Sequence, residues 1–434
     1  MKLKFGKIFM SAAALLIAAG ICGCSVKFGT NPKADSSDSV DSVDLNKIVA
    51  QATTGDNLDD LSVTYGEFER EYLYYLKSGR IEDDTAASVA DTCKQRRETI
   101  INNIIIEKVI LKKAHEMNVD TITEDEQKEL DEQFEENYKQ QIKYIGENAA
   151  AYGYESDSSE SRTEEEIEEI GKELFSKILE ESNMTLDILK QWSKSALIGQ
   201  KLMKELGKEI SLSEAEKAVN ESIESAKELY KSDVASFERS NYTKIYIPEG
   251  SRMIKHILLG FSDDDMKQIQ ALRMDGKDGE ADTYRAQKAA ELADKVAEVE
   301  KKLDNGEDFM KLVSEYSADA DGTAANPDGY LAVPDGKAYM AEFQKTAFEI
   351  EEVGGRKNCV TDYGVHIMVY ASEAKVNPDD LSAITDSVLE QLRQNHYYQR
   401  VYEWKDEYKF QIGYDLLRID NPEDSDSSSD SSSN

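Results

Sequence analysis

Apolar residues recur at helical spacing in two regions of the chain, and a shorter region between them alternates like a sheet. From Val63 to about Lys227, Ile101, Ile104, Ile105, Val109 and Ala114 fall on one stripe. Leu186, Leu189, Leu197 and Leu202 make another, with Trp192 on or near it. Helix starts punctuate this region. Thr64 is followed three residues later by Glu67, Thr123 by Glu126 and Ser213 by Glu216, the spacing of a capping box in which side chains and backbone N–H groups satisfy each other. An acidic stretch at 150–171 reads as a mobile loop or an extended helix. Helical spacing returns over 378–410, so His115 and His396 both fall on helices.

Residues 248–373 read differently. "MIKHILLGF" (253–261) has apolar residues on both alternating faces, as a central strand covered on two sides requires. A helix follows over 283–306, closed by Gly306, and "EDFMKLVSEYS" predicts a second. The loop 318–329 leads into the strand "YLAV", and "AYMAEFQKTAFEI" predicts a third helix. "NCVT" and "VHIMVYA" are strands joined by the turn Asp362-Tyr363-Gly364. The expected fold class is α+β, a small mixed domain inside a mostly helical chain.

Composition narrows the partners. A formal net charge of -35 over 434 residues repels a phosphate backbone and argues against nucleic acid. No clustered ligand spacing points to a metal, no glycine-rich phosphate loop or nucleophile elbow occurs, and no cofactor is expected.

The N-terminus has Lys2, Lys4 and Lys7, an apolar run and then small residues, which reads as a secretory signal rather than a spanning helix. Ile21-Cys22-Gly23-Cys24 resembles the lipobox of bacterial lipoproteins, which implies cleavage before Cys24 and lipid on its sulfur. Only Cys93 and Cys359 then remain in the mature body, too few for a disulfide scaffold. Residues 24–60 read as a disordered tether and 416–434, rich in Ser and Asp, as a disordered tail.

Four separated motifs in order carry a further resemblance: Lys255-His256-Ile257-Leu258, "NGEDFMKLVSEYS", "FQKTAF" at 343–348 and "TDYGVHI" at 361–367. Residues 248–373 resemble a parvulin-type peptidyl-prolyl isomerase domain, which implies a four-stranded sheet with helices. The whole chain is similar to the lipid-anchored extracytoplasmic foldases of Gram-positive bacteria, and through them to the SurA-type periplasmic chaperones. That resemblance implies that 61–247 and 374–415 form one discontinuous chaperone domain. It implies a cell-membrane location on the extracytoplasmic face, and as partners unfolded or partly folded exported proteins with X–Pro bonds.

It also assigns residues. Paired histidines on adjacent central strands correspond to His256 and His366, and a cysteine or aspartate after the Tyr-Ser pair corresponds to Asp319. A proline-ring pocket implies Leu331, Met340 and Phe343, with Tyr339 an alternative to Met340. Where family members carry Gly-Gly-Asp-Leu-Gly, this chain has Pro327-Asp328-Gly329-Tyr330-Leu331-Ala332. That departure keeps a second reading open, a non-enzymatic holdase that retains the fold for binding. The basic cluster with which some nuclear parvulins read phosphate is absent, so no phospho-Ser-Pro preference is expected.

Overall fold

A computed structural model describes residues 44–78, 90–154 and 162–419. The leader, Cys24 and most of the expected tether lie outside the described residues. Seven strands are described: β1 (Ile48–Ala52), β2 (Ser62–Thr64), β3 (Arg252–Gly260), β4 (Tyr330–Ala332), β5 (Arg356–Thr361), β6 (Gly364–Glu373) and β7 (Phe410–Ile412). The chain divides into two compact units, one formed by the residues up to Ile210 and from Leu392 on, the other by Ser211–Gln391.

The first unit is helical, with helices at Tyr65–Lys77, Ala90–Glu116, Glu124–Glu147, Glu164–Glu181 and Leu186–Leu206. The expected boxes at Thr64/Glu67 and Thr123/Glu126 form, and so does one at Thr163/Glu166 that spacing had not singled out. Ile101, Ile104 and Ile105 are buried with Phe134, Ile142 and Phe175. Val109, Ala114 and Leu202 pack with Val401, Trp404 and Tyr408 from the C-terminal end of the helix Pro378–Tyr408.

Both expected disordered ends are corrected by this unit. The apolar Val49, Ala50 and Ala52 make β1 the centre of a three-stranded sheet in the order β2-β1-β7, with both neighbours antiparallel. The tether therefore gives way to folded chain well before residue 60. Leu417 and Ile419 are buried in the same core, so the folded chain also runs past 416. Residues 410–412, read as the end of a helix, pair with β1 as strand β7 instead.

The second unit holds a four-stranded antiparallel sheet in the order β4-β3-β6-β5. β3 is central, as its two apolar faces require. Ile254, Met368 and Tyr370 point to one side with Phe343 and Ala347 of the helix Ala341–Glu349 and Ile350 just after it. Ile257, Leu259, Val365 and Ile367 point to the other, against Val299, Leu312 and Val313. The expected helix at 283–306 is two helices, Asp278–Glu291 and Ala293–Asp304, broken at Leu292. The helix Ala320–Ala325 forms inside the expected loop 318–329, and a further helix, Asp263–Met274, follows β3.

This unit begins 37 residues earlier than the sequence boundary at 247/248, since it starts at Ser211. The helices Leu212–Ser232 and Val234–Arg239 bring Ala226 and Phe237, both fully buried, onto Val333 just after β4. The capping box of the first of these is Ser211/Glu214, two residues before the expected Ser213/Glu216. Both pairs satisfy the same four-residue pattern, and spacing alone does not choose between them.

Candidate active site

β3 and β6 pair so that His256 lies opposite Met368 and His366 opposite Leu258, which puts both imidazoles on one face of the sheet two residues apart in register. Their rings stack with centroids 5.0 Å apart and 15° between planes, and the two Nδ1 atoms are 2.8 Å apart. His256 Nε2 lies 2.9 Å from Asp319 Oδ2, and Thr361 Oγ1 lies 2.8 Å from His366 Nε2. The Tyr330 hydroxyl donates to the same Asp319 oxygen at 2.6 Å, and the Tyr363 N–H donates to Thr361 Oγ1 at 3.2 Å.

Charge fixes the direction of this line. Burial pushes His256 below the ordinary imidazole range, against the upward pull of Asp319, and pushes His366 down to about 3, with His256 adding to the effect. Both rings are therefore neutral near pH 7, with one N–H each. Asp319 Oδ2 accepts, so His256 carries its proton on Nε2 and leaves Nδ1 to accept. His366 then donates through Nδ1, and its Nε2 accepts from the Thr361 hydroxyl. A single consistent arrangement runs from the Tyr363 N–H to the Asp319 carboxylate.

Asp319 reaches this line through local backbone contacts. Ser317 Oγ accepts from the N–H groups of Leu258 and Asp319, and the Ala318 N–H donates to the Leu258 carbonyl. The turn after the helix Phe309–Tyr316 is thereby fastened along β3. Gly322 is needed beneath it: a Cβ there would meet Asp319 Oδ1 at 2.3 Å and the Tyr330 hydroxyl at 2.6 Å. The Asp319 side chain keeps about a third of its surface, 36%, open to solvent, so the line ends at an accessible carboxylate.

Aromatic rings surround the histidines. Phe343 meets His256 and His366 edge-on, with centroids 5.4 Å from each, and Tyr330 meets His256 at 5.1 Å. Tyr339 lies 5.2 Å from Phe343 and 6.1 Å from Tyr330. Burial, with Asp319 second, raises the Tyr330 hydroxyl to about 12, so it stays a donor.

Of the residues singled out in the sequence, His256, His366, Asp319, Phe343 and Tyr339 come together here. Met340 caps the helix Ala341–Glu349 through its backbone and is half-buried. Leu331 does not join them. It packs with Val333 against Ala226 and Phe237 on the opposite side of β4, because neighbouring strand residues face opposite ways. Tyr330, its neighbour, takes the inward place, and alternation along "YLAV" is the signal that could have exposed it. Thr361 was passed over for lack of any local pattern. His115 and His396 belong to the first unit and pair with Asp120 and Glu209. Cys359 is buried and free, while the side chain of Cys93 lies outside the described residues.

Residues 256–372 match the family model described as Rotamase: PPIC-type PPIASE domain. The chain is 22% identical over 320 residues to a Clostridium botulinum protein named foldase protein PrsA, covering 73% of each chain. Among solved structures it is similar to PrsA from Bacillus subtilis, at 20% identity, 83% of this chain, 93% of that one and a TM-score of 0.21. It is also similar to foldase protein PrsA from Streptococcus pneumoniae, at 14% identity, 84% and 97% coverage and a TM-score of 0.26. Residues 256–372 are thus a PPIC-type domain, a parvulin-type peptidyl-prolyl isomerase, in a chain that is similar to PrsA foldases.

Proposed function

We propose that the protein is a lipid-anchored foldase on the extracytoplasmic face of the membrane, isomerising X–Pro bonds in unfolded or partly folded exported proteins. The observation that carries the catalytic part is the line Thr361–His366–His256–Asp319–Tyr330 beneath the rings of Phe343 and Tyr339. The anchoring part is supported by the lipobox at Cys24 and the polar stretch after it.

Rotation about an X–Pro bond meets a barrier of roughly 18–20 kcal/mol, because amide resonance is lost at the top. No bond breaks, so no nucleophile is needed. A thousandfold acceleration needs about 4 kcal/mol off the barrier. Phe343 and Tyr339 hold the proline ring, which leaves the preceding carbonyl free to swing. The histidine pair is a rigid floor that sets the orientation of Asp319, and Asp319 with Tyr330 presents fixed dipoles to the rotating amide in a site drier than water. The helical first unit binds the unfolded client, the role that the family resemblance gives to the helices flanking the isomerase domain.

The test is isomerisation of an Ala-Pro peptide by the full chain, followed by exchange spectroscopy. The intact protein accelerates exchange, and Phe343→Ala and Asp319→Ala each lower the rate. A folded wild-type protein with no acceleration on any of several X–Pro peptides returns the site to simple client binding.

A further inference from the structure

The family match begins at His256, yet the second unit begins at Ser211. The helices between these points are fastened to one place, the loop 333–340 that leads from β4 to the helix Ala341–Glu349 and carries Tyr339. Tyr230 donates its hydroxyl to the Pro334 carbonyl at 2.8 Å, and the Lys337 N–H donates to Glu238 Oε2 at 2.6 Å. Phe237, fully buried, lies under the loop against Val333, with Tyr230 and Tyr246 edge-on to it at 5.3 and 5.9 Å. From the other side Gln344 donates to the Val333 carbonyl at 2.6 Å.

The fit leaves no slack. A Cβ on Gly336 would meet Glu238 Oε1 at 2.5 Å, Gln344 Nε2 at 2.9 Å and the Val333 carbonyl at 2.9 Å. Glu238 Oε1 itself is buried with no hydrogen-bond partner among the described residues, as is Gln344 Oε1. Leaving a buried acceptor unsatisfied is unfavourable, so a carboxylate held there by one strong backbone hydrogen bond points to a demand on the loop rather than on the helix. The negative charge also reaches the site: burial first, and Glu238 second, raise the Tyr339 hydroxyl to about 12.

We propose that Glu238 and Tyr230 are positioning residues of the isomerase, fixing the loop 333–340 so that Tyr339 stands against Phe343 as a wall of the proline pocket. The segment 211–246, outside the family match, is then a working part of the catalytic unit. The inference rests on the pocket reading given above. An aromatic wall held in place contributes to ring binding and not to the rotating amide, so its loss appears in KM and leaves kcat alone.

The experiment is steady-state isomerisation of an Ala-Pro peptide by the full-length protein and by Glu238→Ala, Glu238→Gln, Tyr339→Ala and the Glu238→Ala/Tyr339→Ala pair. Glu238→Ala is expected to raise KM about 3- to 10-fold, the scale of one aromatic contact, with kcat unchanged. Glu238→Gln keeps an oxygen that accepts from Lys337 and is expected to restore KM. In the Tyr339→Ala background Glu238→Ala adds nothing, because its effect passes through the missing ring. If Glu238→Ala fails to fold, Tyr230→Phe, which removes one hydroxyl and keeps the ring, is read in the same way. An equal loss in both backgrounds, or no change in KM, overturns the positioning role while the pocket stands. A Tyr339→Ala protein with wild-type KM overturns the pocket wall and the positioning role together.

Discussion

His366 Nδ1 lies 2.8 Å from His256 Nδ1 inside a sheet where neither imidazole can take a proton cheaply. One ring must donate and the other accept, so an added proton costs either the bond between the rings or the one from Thr361, and puts a buried charge beside a second ring. Both groups have folded pKa values below their unfolded value near 6.5, His366 at about 3. A depressed pKa stabilises the fold above the unfolded value and loses that contribution as pH falls through the folded one.

The second unit is therefore expected to melt at a constant temperature above about pH 7 and at falling temperatures between about pH 6.5 and 3. Scanning calorimetry across that range checks it. His366→Asn should flatten the part of the slope due to this ring. A slope that is unchanged in the variant removes His366 as the cause.

Tyr330 and Leu331 should separate by function. Tyr330→Phe deletes the 2.6 Å hydrogen bond to Asp319, which is worth about 1–3 kcal/mol to a charged acceptor, and is expected to lower kcat. Leu331→Ala removes packing against the cluster of Ala226, Phe237 and Val333 on the opposite face, so the melting temperature should fall while kcat holds. Rate and melting curves of the two proteins, measured side by side, decide the matter. A kcat defect in Leu331→Ala alone would return that residue to the pocket.

Glu71 gives the first unit the opposite response to pH. It is buried beside Trp192, Ser195 and Tyr397 in a small cavity of about 40 Å³. Burial first and Glu107 second raise its carboxyl to about 8, from an unfolded value near 4.5. A raised pKa stabilises the fold below the unfolded value and loses that contribution as pH rises through the folded one. Stability of this unit should thus decline between about pH 4.5 and 8. Glu71→Gln, an isostere of the protonated acid, should remove most of the decline in chemical-denaturation curves; curves that stay parallel to the wild type would assign it elsewhere.

Anchoring is checked by fractionation. The expressed protein is expected in the membrane fraction with Cys24 as its lipidated N-terminus, and Cys24→Ala should leave an unprocessed or released form. Lipid-free protein with its N-terminus at another residue would sink the lipoprotein assignment.

The sequence by itself determined what depends on neighbours in the chain. The starts at Thr64 and Thr123 need only a hydroxyl and a carboxylate three residues apart, and both boxes form as spaced. Two-sided apolar alternation marked β3 as central, and the family resemblance that the motifs carry implied that His256 and His366 lie on adjacent strands. Tertiary structure decided what depends on distant partners. β1 reads as tether because five residues can bury themselves only once β7, some 360 positions later, pairs with them. Strand pairing put Tyr330 inward and Leu331 outward, since one step along a strand reverses the side chain. The helices before residue 247 joined the catalytic unit because Val333 offers Phe237 a buried place, a contact across nearly a hundred residues that local spacing does not encode.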